Sequence, residues 1–305
     1  MPDMTEDTWT AWLDQQRFSG GEQESRLKNT LREYRETVLD HAALTEDDRV
    51  LDVGAGDGLI AFGALERLGP EGTVIFSDLS EAVLEQARKT AEELGDTDRC
   101  KFVVAPAQDL EPIADESVDV VTLRSVLIYV EEREQTFEEF ERVLKPGGRL
   151  SLFEPIGDFT RGMQGPADTF MGYDMDRAEH EIPDSVRDLF GKLWDYGQEH
   201  SPDHEAAMDF NERDLFGFVE RTGFEDIHLD LSAWNTVVWE TEEWDSWLTT
   251  SFGPESPTKR EAMEEALTSE ERETFIEHIR PLIEAKKPKD HRGTTAHLWA
   301  TKPAR

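Results

Sequence analysis

The chain predicts an α/β fold: a doubly wound, mostly parallel sheet with helices on both faces. Three observations predict it. Short apolar runs at residues 50–53, 73–76, 100–104, 118–123 and 149–154 are separated by helical or turn segments. The first run, Val50-Leu51-Asp52-Val53, ends in three alternate glycines, Gly54, Gly56 and Gly58, a strand–turn–helix layout suited to a nucleotide. The second run, Thr73–Phe76, leads into Ser77-Asp78-Leu79-Ser80, so that an acid sits at the carboxyl end of a second strand, 24 residues past Gly54. An acid at that place can accept hydrogen bonds from both hydroxyls of a ribose.

The elements follow in order. Glycines after the first strand let backbone approach a ligand closely and take φ > 0. Their spacing is not the dinucleotide fingerprint, because G-x-G-x-x-G would require glycine at Leu59. Asp52, two residues before the first glycine, suits a ligand carrying a positive amino group. The third strand, Cys100–Val104, runs into Ala107-Gln108-Asp109, and the fourth, Val118–Leu123, into Arg124-Ser125-Val126-Leu127. A helix over Glu131–Leu144 is followed by a Lys145-Pro146-Gly147-Gly148 stop and a fifth strand, Arg149–Glu154.

These pieces together resemble the class I S-adenosylmethionine (SAM)-dependent methyltransferases, and the RSVLIYV and FEPI segments a broad, substrate-unassigned group among them. The matching segments are LDVGAGDG, the acid of FSDLS, the AQD turn and ERVLKPGGRLSLFEP, over roughly residues 48–156, with weaker similarity in 211–231 and 294–302. The resemblance implies a seven-stranded sheet whose last strand runs antiparallel between the fifth and sixth. It implies SAM as cofactor, with Gly54, Ala55, Gly56 and Gly58 along its methionine and ribose portions. Asp52 would hold the amino group, directly or through water, and Asp78 the ribose hydroxyls. Leu79 would lie against the adenine and Gln108 and Asp109 at its edge, with Arg124, Ser125 and Val126 reaching the methionine end.

Composition limits the classes. The net charge is −36, from 68 acids against 32 bases, and only 10 of those bases are lysine. Acids occur in every segment, a pattern resembling proteins of salt-in halophiles, whose self-repulsion molar salt screens. No basic patch offers a nucleic-acid surface, so no DNA partner is expected, and an RNA or protein acceptor would need an exposed groove. A single cysteine, Cys100, allows no intrachain disulfide and fits a reducing, cytoplasmic interior. It also excludes the several-thiol chemistry of arsenite methylation. No apolar stretch approaches a membrane span, and the acidic N-terminus does not read as a signal peptide.

The expected organisation is an N-terminal helical lid over 1–48 and a SAM-binding core over 49–155. A cap insertion over 156–210, a core continuation over 211–238, a second helical insertion over 239–290 and a last core strand over 291–305 complete it. The lid holds a short helix over 5–20 and a longer one over Glu24–Ala43, which either lies across the cofactor or packs on the sheet edge. Asn211 should cap a helix that Gly223 ends, with a sixth strand over Phe224–Leu231 and a last one over Thr294–Thr301. The cap is rich in methionine and aromatic residues. Most should fill its own core, with Phe170, Met171 and Tyr173 facing a small, apolar or aromatic acceptor.

Methyl transfer needs alignment above all, so an obvious catalytic residue is not required. Arg124 at a strand end suits either a ligand carboxylate or a structural ion pair. Tyr129 and Glu154 are polar groups facing the acceptor, Glu154 either as general base or as a hydrogen-bonding group. His200, Asp203 and His204 have ligand-like spacing, but Pro202 breaks the helix that would align them, and no metal is expected. The turn after the fourth strand lacks the N/D-P-P-Y/F pattern of nucleic-acid amino methylation. The rival to an enzyme is a non-catalytic SAM-binding module acting through a protein partner. Oligomeric state has no signature in the chain.

Overall fold

The computed structural model describes residues 21–156, 169–170, 173–174, 182–200, 210–238, 243–251, 256–285, 287 and 289–304. The chain divides into two compact units. One comprises 29–158, 206–232 and 294–305, the other 1–28, 159–205 and 233–293.

The first unit is built on parallel strands β1 (Arg49–Val53), β2 (Thr73–Asp78), β3 (Cys100–Val104), β4 (Val118–Arg124) and β5 (Leu144–Pro155), with β8 (Glu225–Val238) and β9 (Lys289–Thr301) completing the sheet. The order is β3-β2-β1-β4-β5-β9, with β8 also paired to β9. β9 runs antiparallel to β5, placing Leu298 opposite Leu152. These strands make the seven-stranded mixed sheet that the resemblance implies.

Alternation along each strand distributes the core to both faces. Val50, Val74, Phe76 and Val120 pack with Val38 and Leu39 of α1 (Gly21–Ala42), with Ile60, Ala64 and Leu65 of α2 (Leu59–Arg67) and with Leu84 and Ala87 of α3 (Glu81–Leu94). Leu51, Ile75, Val121, Leu123 and Leu152 pack with Phe137 and Phe140 of α4 (Arg133–Val143) and with Leu215 and Val219 of α6 (Glu212–Arg221). Helices therefore cover both faces, as a doubly wound sheet requires. Ser80 caps α3 through Val83 N, and Asn211 forms a capping box with Asp214 at α6.

Most boundaries fall within three residues of expectation; three strands, β5, β8 and β9, depart further. β5 starts at Leu144 rather than Arg149, because the Lys-Pro-Gly-Gly stretch makes a bulge instead of a break. The register shifts from Val118 opposite Leu144 to Val120 opposite Arg149. Gly147 at φ +77° donates to Lys302 O at 3.0 Å, and Lys302 N returns a bond to Gly148 O at 2.8 Å. β8 and β9 are both longer than their apolar runs, since pairing with a neighbour carries a strand past the end of its hydrophobic pattern.

In the second unit, β6 (Thr169–Phe170) and β7 (Tyr173–Asp174) form a small hairpin, and Tyr173 pairs with Lys289. α5 (Asp184–Glu199), α7 (Trp244–Thr249), α8 (Lys259–Ala266) and α9 (Ser269–Glu284) share one core. Val186, Trp244, Trp247, Met263, Phe275 and Ile279 form its centre. Cap and second insertion thus make one hydrophobic unit. No helix among the described residues is long and apolar enough to cross a membrane.

Candidate active site

Parallel register brings the motif residues to one edge. Val53 lies beside Ser77 of β2 and Leu123 of β4, and Asp78 beside Val104 of β3. The residues that follow, Gly54 and Ser125 above all, therefore meet at the carboxyl ends of neighbouring strands, where open α/β sheets bind ligands.

Gly54, Gly56 and Gly58 take φ of +62°, +54° and +89°. A Cβ on Gly54 would run into Val126 Cγ2, whereas one on Gly56 would meet nothing within 4 Å. Gly54 is therefore required by the close packing of Val126 as well as by its own φ. Asp78 sets the turn's shape: its Oδ2 accepts from Gly56 N at 2.9 Å and its Oδ1 from Ser80 N at 3.0 Å. The Leu79 amide adds to these two, and a carboxylate's roughly four lone-pair sites still leave room for a ligand hydroxyl. Burial raises the Asp78 carboxyl above its ordinary range, against the lowering effect of those amides.

Beside Asp78 two apolar side chains stand open, Leu79 at 50% and Val104 at 51% exposure. They stand at the adjoining carboxyl ends of β2 and β3. Leu79 was legible in the motif; Val104 emerges only from the β2–β3 register. Gln108 and Asp109 follow β3, where the Gln108 carbonyl accepts from Gln135 Nε2 and Asp109 Oδ1 from Glu111 N.

Asp52 lies beneath the turn and is only 2% exposed. Its Oδ2 accepts from Ala61 N at 3.1 Å and its Oδ1 from Thr122 Oγ1 at 2.8 Å. Burial pushes its carboxyl up to about 7. Through these bonds the carboxyl ties α2 to β4; holding a ligand's amino group, directly or through water, is its proposed further role. Arg124 is partly exposed, with Nη1 donating to Ser125 Oγ at 3.2 Å. Burial lowers its pKa, against the opposing charges of Asp57, Glu154 and Asp52 and of Tyr129. Ser125 has φ +56°, a left-handed conformation that a non-glycine residue adopts at some strain. Glu154 is fully buried, and its Oε1 accepts from Val126 N at 2.8 Å and Leu127 N at 3.0 Å. That placement favours the hydrogen-bonding alternative over a base that meets the acceptor.

α1 packs through Tyr34, stacked on Phe153 at 4.0 Å, and through Val38 and Leu39. From Tyr34 onward, packing against the sheet is what the structure displays. Phe170 and Tyr173 pair across the β6–β7 hairpin, while Met171 lies outside the described residues, as do Asp203 and His204. Among the described residues no cluster of His, Cys, Asp and Glu could hold a metal ion.

Residues 44–188 match the family described as a methyltransferase domain. The chain carries a class I SAM-dependent methyltransferase domain. An arsenite methyltransferase of Halobacterium salinarum is 34% identical over 115 residues, which cover 38% of this chain and 29% of the relative. A ubiquinone/menaquinone biosynthesis C-methyltransferase UbiE of Roseobacter denitrificans is 36% identical over 121 residues, 40% of this chain and 48% of the relative. The match thus spans less than half of either relative. The YcgJ protein of Bacillus subtilis superposes with a TM-score of 0.53 at 20% identity, over 89% of this chain and 98% of that one. At that identity the likeness is one of fold. The features of this edge fit the domain's cofactor: a glycine turn with open space at Gly56, a carboxylate with free lone pairs at Asp78, and an apolar shelf at Leu79 and Val104.

Proposed function

We propose that the protein transfers a methyl group from SAM to a small, apolar or aromatic acceptor by direct displacement. The observation that carries this reading is the alignment of the Gly54–Gly58 turn, Asp78 and the Arg124–Val126 turn along one sheet edge. When bound, SAM supplies a methyl group already activated by a sulfonium. The chain's part is to bind and orient. Asp78 accepts from the ribose hydroxyls, Leu79 and Val104 cover the adenine, and the glycine turn admits the methionine portion. Arg124 faces the ligand's carboxylate, its guanidinium's positive charge supported by the neighbouring acids Asp57, Glu154 and Asp52.

Several features support a small acceptor. The relatives named above are named for arsenite and for quinone biosynthesis. Cys100 is the single thiol of these 305 residues, and burial raises its pKa to about 11, so arsenite is not the acceptor proposed. The insertion that leaves the end of β5 is rich in methionine and aromatic residues and is the proposed source of acceptor contacts. The spread of acids supports a cytoplasm of high salt as the working environment.

Calorimetry in molar KCl tests the cofactor. S-adenosylhomocysteine (SAH), the demethylated product, should bind and NAD should not. A methyl-transfer screen with labelled SAM against quinone, lipid and aromatic metabolites then tests the acceptor class. Absence of SAH binding would remove the reading; SAH binding with label passing only to protein or RNA would replace the small acceptor with a macromolecule.

A further inference from the structure

Glu154 is the most unusual residue of the site. Its carboxyl is fully buried, and while Oε1 accepts from Val126 N and Leu127 N, Oε2 is buried without a hydrogen-bond partner. The preceding residue, Phe153, uses its carbonyl to accept from Ser125 N at 2.9 Å. Two consecutive residues of β5 therefore bind three consecutive amides, those of Ser125, Val126 and Leu127. The first of these residues is the one at φ +56°.

A non-glycine residue in the left-handed region is held there only when its surroundings over-determine it. Here the neighbours that do so are these amide bonds, two of them made to a carboxyl oxygen. A carboxyl oxygen accepts from both amides whether or not the group is ionised, and more strongly when it is. What the conformation achieves is visible on both sides of Ser125. Its hydroxyl receives Arg124 Nη1 at 3.2 Å, and the next residue, Val126, lies directly against Gly54. The same three-residue turn thus orients the guanidinium and packs the glycine loop. Burying a carboxyl with one oxygen unpaired is an expensive way to fasten a turn. A purely structural fastening would be as well made by a neutral acceptor.

We infer that Glu154 is a positioning residue of the cofactor site, holding the 125–127 turn in the left-handed form that presents Arg124 and Val126 to SAM. The inference rests on the SAM-binding reading above and adds the residue that shapes the site from behind.

The test uses SAH affinity, thermal stability and a second-site rescue in the full chain. Glu154→Ala should weaken SAH about ten-fold, as loss of the shared acceptor of two buried amides implies. Glu154→Gln keeps an oxygen for both amides and should lose only about three-fold. Ser125→Asn eases the left-handed conformation, which asparagine tolerates, and keeps an oxygen that can accept from Arg124. Added to Glu154→Ala, it should recover much of the affinity while leaving the melting temperature low. Should the alanine variant not fold, Glu154→Asp, one methylene short of the amides, takes its place, with the same loss and the same rescue expected. If wild type binds SAH and the Ala or Asp variant binds it equally well, the inference is overturned alone. An affinity loss that neither the glutamine nor the asparagine change moderates likewise marks a merely structural role. No SAH binding by wild type overturns the function and this inference together.

Discussion

At the scale of single residues, carboxyls organise the site. Asp78 holds the turn at Gly56 N and Ser80 N, with the Leu79 amide beside them, and has acceptor capacity left for a ligand. Asp78→Ala is expected to weaken SAH binding by about 1.5–3 kcal/mol, the range for hydrogen bonds to a charged group. Calorimetry reads this directly, and unchanged affinity would take Asp78 out of the site. Asp52 leads to a pH prediction. Burial raises its carboxyl to about 7 from an ordinary 3.8, so the folded state holds the proton more tightly than the unfolded chain. A group raised in this way adds stability that is complete below about pH 4 and is lost as pH climbs through about 7. Glu154, also raised to about 7, acts in the same sense. Asp52→Asn removes one titration while leaving the surface acids in place. The unfolding free energy of wild type should fall more steeply than that of the variant across this window, by up to about 1.4 kcal/mol per pH unit. Parallel curves from denaturant titrations would show that Asp52 stays ionised when folded.

At the scale of elements, strand ends and their turns carry the chemistry, while helix caps and bulges fix where those ends fall. The Gly147-Gly148 bulge lets β5 begin at Leu144 and still bring Arg149 opposite Val120, so that Phe153 reaches Arg124 in register. A shift of one residue there would turn Glu154 to the opposite face. The β6–β7 hairpin belongs to the insertion that follows β5, and its Phe170 and Tyr173 are the proposed acceptor contacts. Phe170→Ala or Tyr173→Ala should change the rate of methyl transfer to an identified acceptor at least several-fold more than it changes SAH affinity. Steady-state kinetics beside calorimetry would separate the two. Equal effects on both would assign the hairpin to stability alone.

At the scale of the whole molecule, charge dominates. A net charge of −36 is spread along the chain, and the arginines gather into ion pairs that offset it only locally. Arg142 pairs with Glu139 and Asp115, Arg67 with Glu36 and Asp40, and Arg221 with Glu134. Such exposed pairs contribute little each in water. The remaining acids repel one another over a screening length of ~10 Å at 0.1 M salt and only ~3 Å at 1 M. The melting temperature is therefore expected to rise steeply from dilute buffer to molar KCl. A flat profile by calorimetric scanning would mean that the acids are already compensated and that the high-salt reading is wrong.

The sequence by itself determined the class of fold, the order of the parallel strands' motifs and the residues at their carboxyl ends. These are local properties. Apolar runs report strands, glycines report turns, and an acid or arginine placed just after a run must lie at the strand's end. Asp78, Leu79, Arg124 and the glycine turn were legible for that reason. Only the tertiary structure decided what those residues touch. Asp52 meets Thr122, 70 positions away, because β1 and β4 are neighbours. Glu154 meets Val126 and Leu127 because β4 and β5 are. Val104 joins the shelf because β2 pairs β3. Hydropathy tells that a residue is buried, not beside what, and the partner of a buried carboxyl is what makes it a ligand, a base or a brace.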